Sequence, residues 1–294
     1  MKNKTKGILF ILLSALSFAV MNVFVKLAGD LPSVQKSFFR NLVAVVFAVV
    51  ILLKSEEKFR FDRSNLKFLA IRSFFGTVGI LGNYYAVDHM LLSDASMLNK
   101  LAPFFAVIAS FFFLKETIKP FQLFAVIAAF AGSLFIIKPT ASAFSDSIPA
   151  LIGLLGGLCA GVAYTTVRYL SKRGERGPFI VFFFSAFSCL VTLPFLLFDF
   201  HPMSWQQLGF LLLAGLAAAG GQFSVTAAYS HAPAREISVF DYTQVLFSAL
   251  LGFFLFSQLP DGWSLLGYVI ICGISTAMFF YSKRQPNIDD GKQS

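Results

Sequence analysis

The feature that most constrains the fold is a series of apolar segments, each about 20 residues long, that fills most of the chain. A segment of this length can cross the hydrocarbon core of a bilayer as one α-helix. The chain is 57% hydrophobic and only 13% charged, whereas average soluble domains carry about 25% charged residues. We therefore predict an all-α integral membrane protein with ten transmembrane helices, near residues 7–28, 34–53, 66–87, 94–114, 120–138, 148–170, 178–197, 206–229, 237–257 and 262–282.

The distribution of lysine and arginine predicts the orientation of the chain. With a cytoplasmic N-terminus, nearly all basic residues of the links fall on the inner side, and Lys26, Lys36 and Lys138 fall outside. Both termini are then cytoplasmic, as expected for a multi-pass protein of the plasma membrane. The net charge of +9 resides in these short links. Because no basic run is interleaved with aromatic residues, a nucleic-acid partner is not expected.

An internal repeat runs through the chain at a spacing of 142 residues. It aligns segment 94–121 with segment 236–263, and it places Asp94 opposite Glu236 and Ser96 opposite Ser238. The first helices of the two copies pair at a slightly different spacing. The pattern indicates that the chain was built from two related halves.

The repeat predicts the domain organisation. A first five-helix half spans residues 1–140, a second spans 141–284, and a short cytoplasmic tail follows at 285–294. Because five is odd, the second half must enter the membrane upside down relative to the first. Inverted five-helix repeats are typical of secondary transporters, in which the substrate site lies near the midplane between the halves.

Polar residues inside the fourth apolar segment and its repeat mate are the strongest candidate substrate contacts. A polar group inside a membrane is costly unless it faces a cavity or a partner. Asn99 and Lys100 lie in the fourth segment, opposite Asp241 and Tyr242 in the mate, with Gln244 on the same face as Asp241. These matching faces, expected near opposite ends with Asn99 and Lys100 at the outer mouth, predict a central cavity of pseudo-twofold symmetry. Two alternatives remain open: Lys100 snorkels to the outer headgroups, or Asp241 is an N-cap or interfacial residue.

Pro103 follows Asn99 by one helical turn and is predicted to bend the cavity-lining helix. Polar or aromatic residues inside other apolar segments complete the candidate substrate-binding set: Asn22, Arg40, Asn83, Tyr84, Tyr164, Arg168 and Gln222.

Some of these candidates have competing interpretations. Arg168 is also consistent with a positive-inside anchor, Arg40 with a structural ion pair or snorkelling, and Tyr84 with an interfacial aromatic belt. Arg72, early in the third segment, is predicted to be an anchor at the inner boundary.

The stretch NYYAVDHMLLSDASMLNKLAPFFAVIASFFFLKETIKPFQLFAVIAAFAGSLFII resembles the EamA family of the drug/metabolite transporter superfamily. The likeness rests on Pro103 inside helix four, Glu116 closing that helix and Gly132 in helix five. The second copy departs from the pattern, with Val245 at the position of Pro103 and Gln258 at that of Glu116. The resemblance implies a ten-helix carrier without an ATPase domain. It also implies substrates among amino acids, nucleosides, sugars, other metabolites and drugs.

Several functions are not expected from this sequence. It contains no catalytic constellation and no phosphate-binding loop, so we predict neither an enzyme nor an ATP-driven pump, and no cofactor or metal. Catalysis would also leave an inverted repeat unexplained.

We predict a secondary active transporter, working by alternating access, for a small polar metabolite such as an amino acid or organic anion. A coupled proton or other ion is an open option, with Asp241 as the candidate acid. The alternative is an exporter of lipophilic cations or drugs, which ranks lower because the candidate cavity residues are richer in bases than in acids. The oligomeric state is not indicated.

Overall fold

A computed structural model describes residues 2–102, 104–106, 108–109, 119–137, 144–231 and 238–283. In this part of the chain the secondary structure is entirely helical, with ten α-helices, α1 to α10. In chain order they span Lys2–Leu27, Ser33–Lys54, Leu66–His89, Leu92–Asn99, Pro120–Ile137, Phe144–Lys172, Gly177–Phe198, Trp205–His231, Thr243–Phe256 and Gly262–Lys283. Short 3₁₀ helices occupy Arg63–Asn65 and Ser238–Tyr242. Six of the described helices, namely α1, α2, α6, α7, α8 and α10, are long and apolar enough to cross a membrane.

The helices of the two halves interlock rather than pack as separate bundles. Helix α1 packs along α8 and helix α3 along α6, so helices of each half make their largest contacts with helices of the other half. The other large contacts between the halves join α2 with α7 and α8, α1 with α9, α3 with α7, α5 with α10, and α4 with α9 and α6. Exchanging every helix for its counterpart five places along the series reproduces the same set of pairs. The packing therefore has the twofold pattern that the sequence repeat predicts.

Glycines allow the helices around the centre to approach closely. A Cβ added at Gly157 would lie 2.6 Å from the carbonyl oxygen of Leu98, and one added at Gly161 would lie 2.6 Å from that of Ala102. A Cβ added at Gly82 would lie 2.9 Å from the carbonyl oxygen of Ile152. Helix α6 is thus pressed against α3 and α4, as small residues permit in membrane helix packing.

Helix α4 and its repeat mate are interrupted, where the sequence predicted continuous helices. Helix α4 ends at Asn99, a turn follows at Lys100 and Leu101, and helical backbone resumes at Ala102. In the mate, a 3₁₀ segment runs to Tyr242 before α9 begins. A proline at position 103 has no N–H to offer the carbonyl of residue 99, which accounts for the end of α4. The predicted bend at Pro103 itself lies outside the described residues.

Two of the lysines predicted on the outer side, Lys26 and Lys36, make contacts inside the protein. Lys36 is fully buried, and its Nζ lies 2.6 Å from Oδ1 of Asp88. Lys26 donates to the carbonyl oxygens of Val87 and Met90, at 2.9 and 2.8 Å. Its positive charge thereby meets the carbonyl end of α3, which carries a partial negative charge.

Candidate substrate-binding site

A cavity of about 100 Å³ lies between the two halves, lined by eight of the ten helices. Most of the residues predicted to bind substrate converge on it from distant parts of the sequence. Those that line it are Asn22, Arg40, Asn83, Tyr84, Asn99, Lys100, Tyr164, Gln222 and Gln244. The wall is completed by apolar side chains, chiefly Phe18, Met21, Ile80 and Phe184.

Lys100 is held at the cavity by residues of the second half. Its Nζ lies 2.6 Å from Oδ2 of Asp241, and its side chain is 8% exposed. Tyr242 donates its hydroxyl to the carbonyl oxygen of Lys100 at 2.9 Å. Lys100 therefore forms a largely buried ion pair instead of snorkelling to the headgroups. Asp241 and Tyr242 do not line the cavity; they fix the lysine that does.

Two asparagines form a neutral polar pair in the wall. Asn83 donates its side-chain amide to Oδ1 of Asn22 at 3.3 Å, joining α3 to α1. Nδ2 of Asn22 and Oδ1 of Asn83 are buried without a hydrogen-bond partner. An unsatisfied buried amide group is costly. The pair thus holds one donor and one acceptor available for a ligand.

Arg40 is buried in the wall, 6% exposed. Its Nη1 donates to Oδ1 of Asn41 at 2.7 Å, and its Nε has no hydrogen-bond partner. Among the described residues no carboxylate lies within ion-pair distance of it. This position excludes snorkelling, and Arg40 faces the cavity as a cation oriented by a neutral amide.

Arg72 is the main cavity residue that sequence reasoning missed. It was predicted to be an inner anchor, and the structure shows that this is wrong: Arg72 is 5% exposed and lines the cavity. Its guanidinium lies over the ring of Phe184, with Cζ 3.8 Å from the ring centroid. Nε and Nη1 have no hydrogen-bond partner. The side chain turns inward because Gly76, one turn further along α3, leaves room for it.

The remaining predictions have mixed outcomes. Tyr84 is 1% exposed and lies in the interior, so it is not part of an aromatic belt. Gln244 is also buried, at 4% exposure. The side chain of Arg168 lies outside the described part of the structure, and its predicted role stays a prediction. Phe184 carried no sequence signal, since the chain contains 38 phenylalanines.

The buried carboxylate of Asp94 lies outside the cavity wall. Asp94 is 5% exposed and accepts hydrogen bonds from Tyr268 at 2.5 Å and from Ser264 at 3.3 Å. These bonds tie α4 to α10. Asp94 is thus an acidic residue inside the helical part of the protein in addition to the sequence candidate Asp241.

A polar cavity between two interlocked halves of a helical membrane protein is an arrangement typical of membrane transporters. The profile of the EamA-like transporter family matches residues 5–138 and again residues 147–280. The chain belongs to this family, a branch of the drug/metabolite transporter superfamily, and it is a transporter.

Relatives of known sequence agree with this assignment, and a solved structure shares the fold. The chain is 33% identical over 267 residues to the pseudopaline exporter CntI of Pseudomonas aeruginosa strain UCBPP-PA14, covering 90% of this chain and 93% of that protein. It is 25% identical to solute carrier family 35 member G1 of Mus musculus, with coverage of 90% and 76%. One crystal structure shares the fold with a TM-score of 0.65 at 16% identity, covering 95% of this chain and 98% of that one.

Proposed function

We propose that this protein is a secondary active exporter of a small anionic metabolite across the cytoplasmic membrane. The observation that carries the proposal is the charge of the cavity. Arg40 and Arg72 are buried in its wall without an acidic partner among the described residues, while Lys100 is matched by Asp241. Two uncompensated cations in a low-dielectric site favour an anionic ligand. The direction of transport is suggested by the exporter from Pseudomonas aeruginosa.

The alternative, export of lipophilic cations, is less compatible with this charge. A cationic ligand would meet Arg40 and Arg72 with no free acid beside them in the described wall, and like charges repel strongly away from water. The aromatic residues of the cavity would suit a lipophilic ligand, but they do not offset two guanidinium groups.

We propose further that all ten apolar segments cross the membrane, with both termini cytoplasmic and with the halves 1–140 and 141–284 inverted. The exchange of helices between halves supports this topology, as do the two family matches at 5–138 and 147–280. Alternating access would then arise from the rocking of one half against the other around the cavity.

Asp241 is our candidate for the group that carries a coupling proton. Its carboxylate contacts Lys100, so protonation would release a cation toward the cavity. Asp241→Asn should abolish the dependence of transport on a proton gradient while leaving facilitated exchange of substrate. If the variant retains both uphill transport and its pH dependence, coupling occurs elsewhere.

Flux measurements in proteoliposomes test the proposed function. A panel of organic anions, zwitterions and organic cations is loaded inside, and efflux is followed with and without a proton gradient. We expect efflux of anions, reduced about tenfold or more by Arg40→Gln or Arg72→Gln because each removes a charged hydrogen-bond donor. Arg63→Gln, an exposed arginine in the link before α3, is the matched control. Transport of cations with no transport of anions would contradict the proposal.

A further inference from the structure

We propose that the cavity binds a dicarboxylate, with one carboxylate at Arg40, the other at Arg72, and the ring of Phe184 beside both guanidinium groups. The inference rests on the proposed function, because it names the class of anion that the same site takes. Two observations support it: the contacts that orient each guanidinium group, and the short distance between the two groups.

Arg40 is oriented without being neutralised. The side chain of Asn41 accepts from Nη1 of Arg40, and its own amide nitrogen donates to the carbonyl of Ser37 and to Oγ of Ser188, each at 2.9 Å. These bonds lock the orientation of Asn41 and hence of its Oδ1. A neutral amide directs the guanidinium, and the full positive charge is left for a ligand.

Arg72 is held in a different way with the same result. Its guanidinium lies over the ring of Phe184, with Cζ 3.8 Å from the ring centroid. Two of its nitrogens, Nε and Nη1, are buried with no partner. Their N–H groups can each donate a charge-assisted hydrogen bond to a carboxylate oxygen.

The contacts of both arginines with Phe184 give an upper limit for the distance between the two cations. The Cζ atoms of Arg40 and Arg72 lie 6.0 and 3.8 Å from the centroid of this one ring. They are therefore within about 10 Å of each other. In a cavity of about 100 Å³, one short molecule can reach both. Two positive charges at this spacing are neutralised by one dianion, whereas a monoanion leaves one of them uncompensated.

Gly76 is the positioning residue of this arrangement. A Cβ at position 76 would overlap Nη1 of Arg72 and would lie 2.9 Å from Cε2 of Phe184. The absence of a side chain there is what lets the guanidinium lie between helix α3 and the ring. Any larger residue must push Arg72 off Phe184 and change the spacing to Arg40.

Thermal unfolding of the purified full-length protein in detergent tests the inference, since ligands that bind the folded state raise its melting temperature. The probes are succinate, glutarate, adipate and sebacate, with butyrate as the monocarboxylate of the same length as succinate. We expect a short diacid to stabilise the protein at a concentration about tenfold or more below that of butyrate, with weaker stabilisation by sebacate.

Two other outcomes would contradict the dicarboxylate inference, the proposed transport of anions, or both. If butyrate stabilises as well as the best diacid, the dicarboxylate inference is wrong and the proposed transport of anions stands. If no carboxylate stabilises the protein and none is transported, both are wrong.

Two sets of variants distinguish a diacid that contacts both arginines from a diacid that is attracted only by their positive charge. Arg40→Gln and Arg72→Gln should each reduce the affinity for the diacid to that for butyrate, and Arg63→Gln should change neither. Arg72→Lys keeps the charge but not the planar guanidinium with its several N–H donors, so it should rescue butyrate binding better than diacid binding. Equal losses for both ligands in every variant would show that the arginines act only as a diffuse charge.

Gly76→Ala should lower the affinity for the diacid while leaving butyrate binding at Arg40 intact. The matched control is Gly273→Ala, where an added Cβ meets nothing within 4 Å. An unchanged ratio of diacid to butyrate affinity in Gly76→Ala would contradict the positioning role.

Discussion

The hydroxyl of Tyr242 donates a 2.9 Å hydrogen bond to the carbonyl oxygen of Lys100, the residue at the equivalent position of the other half. Both lie where a helix is interrupted. Two equivalent residues that touch must lie close to the axis that relates the halves. The interruptions of α4 and α9 therefore meet at the centre of the protein, beside the cavity.

Breaking the ion pair between Lys100 and Asp241 should destabilise the protein. Lys100→Ala or Asp241→Ala leaves one charge buried without its partner, and we expect each to lower the free energy of unfolding by about 3–5 kcal/mol. The double variant should lose at least about 1 kcal/mol less than the sum of the single losses. Reversible unfolding in mixed micelles measures all three, and strictly additive losses would mean that the pair is not coupled.

Tyr242→Phe removes the hydroxyl that caps the interruption of α4. The carbonyl of Lys100 then loses this partner at a helix break, and we expect a loss of stability of about 0.6–1.7 kcal/mol, the range for interhelical hydrogen bonds in membrane proteins. Tyr281→Phe, at the end of α10 where the ring packs on Phe121, is the control. Equal effects of the two variants on the unfolding midpoint would contradict the assignment.

Gly157→Ala should open the contact between α6 and α4. Its Cβ would lie 2.6 Å from the carbonyl oxygen of Leu98, so the helices must separate. Overpacking of this kind costs about 1–3 kcal/mol. Gly209→Ala in α8, whose Cβ would meet nothing within 4 Å, should have little effect on the melting temperature. Similar melting temperatures for both variants would indicate that α6 and α4 are not in contact.

Tyr268→Phe should weaken the attachment of α10 to α4. It removes a hydrogen bond to the buried carboxylate of Asp94, and hydrogen bonds to charged groups are the stronger kind. We expect a loss of about 1–2 kcal/mol in the free energy of unfolding. Transport should persist, because Asp94 and Tyr268 lie outside the cavity wall; a variant of normal stability without transport would instead assign them to the mechanism.

The sequence identified several residues of the candidate site because an apolar background makes polar residues conspicuous. Its placement of Lys100 and Asp241 near opposite ends of the cavity was wrong, since the two side chains lie 2.6 Å apart. Asn99 and Lys100 stand out in the fourth segment, and the repeat pairs them with Asp241 and Tyr242. The contacts of Lys100 with Asp241 and Tyr242 were not predicted, because they depend on how the two halves pack. The bend at Pro103 lies outside the described residues and stays a prediction.

Arg72 was misread for a physical reason. A basic residue six or seven positions into a helix is within reach of the headgroups, so position along the chain cannot distinguish an anchor from a cavity residue. The direction of its side chain depends on Gly76 and on Phe184 of another helix. Gly76 one turn away was a usable signal, whereas Phe184 was indistinguishable from the many phenylalanines that face lipid.

The exchange of helices between halves also determines how the chain can be made. Ser14 of α1 donates to the carbonyl of Gly221 in α8, which is 207 residues later in the chain. At roughly 5–20 residues synthesised per second, α1 waits about 10–40 s for that partner. For that time the first half lacks its packing partners from the second half, so the helices that face the cavity must stay apart or pack on one another until synthesis is complete.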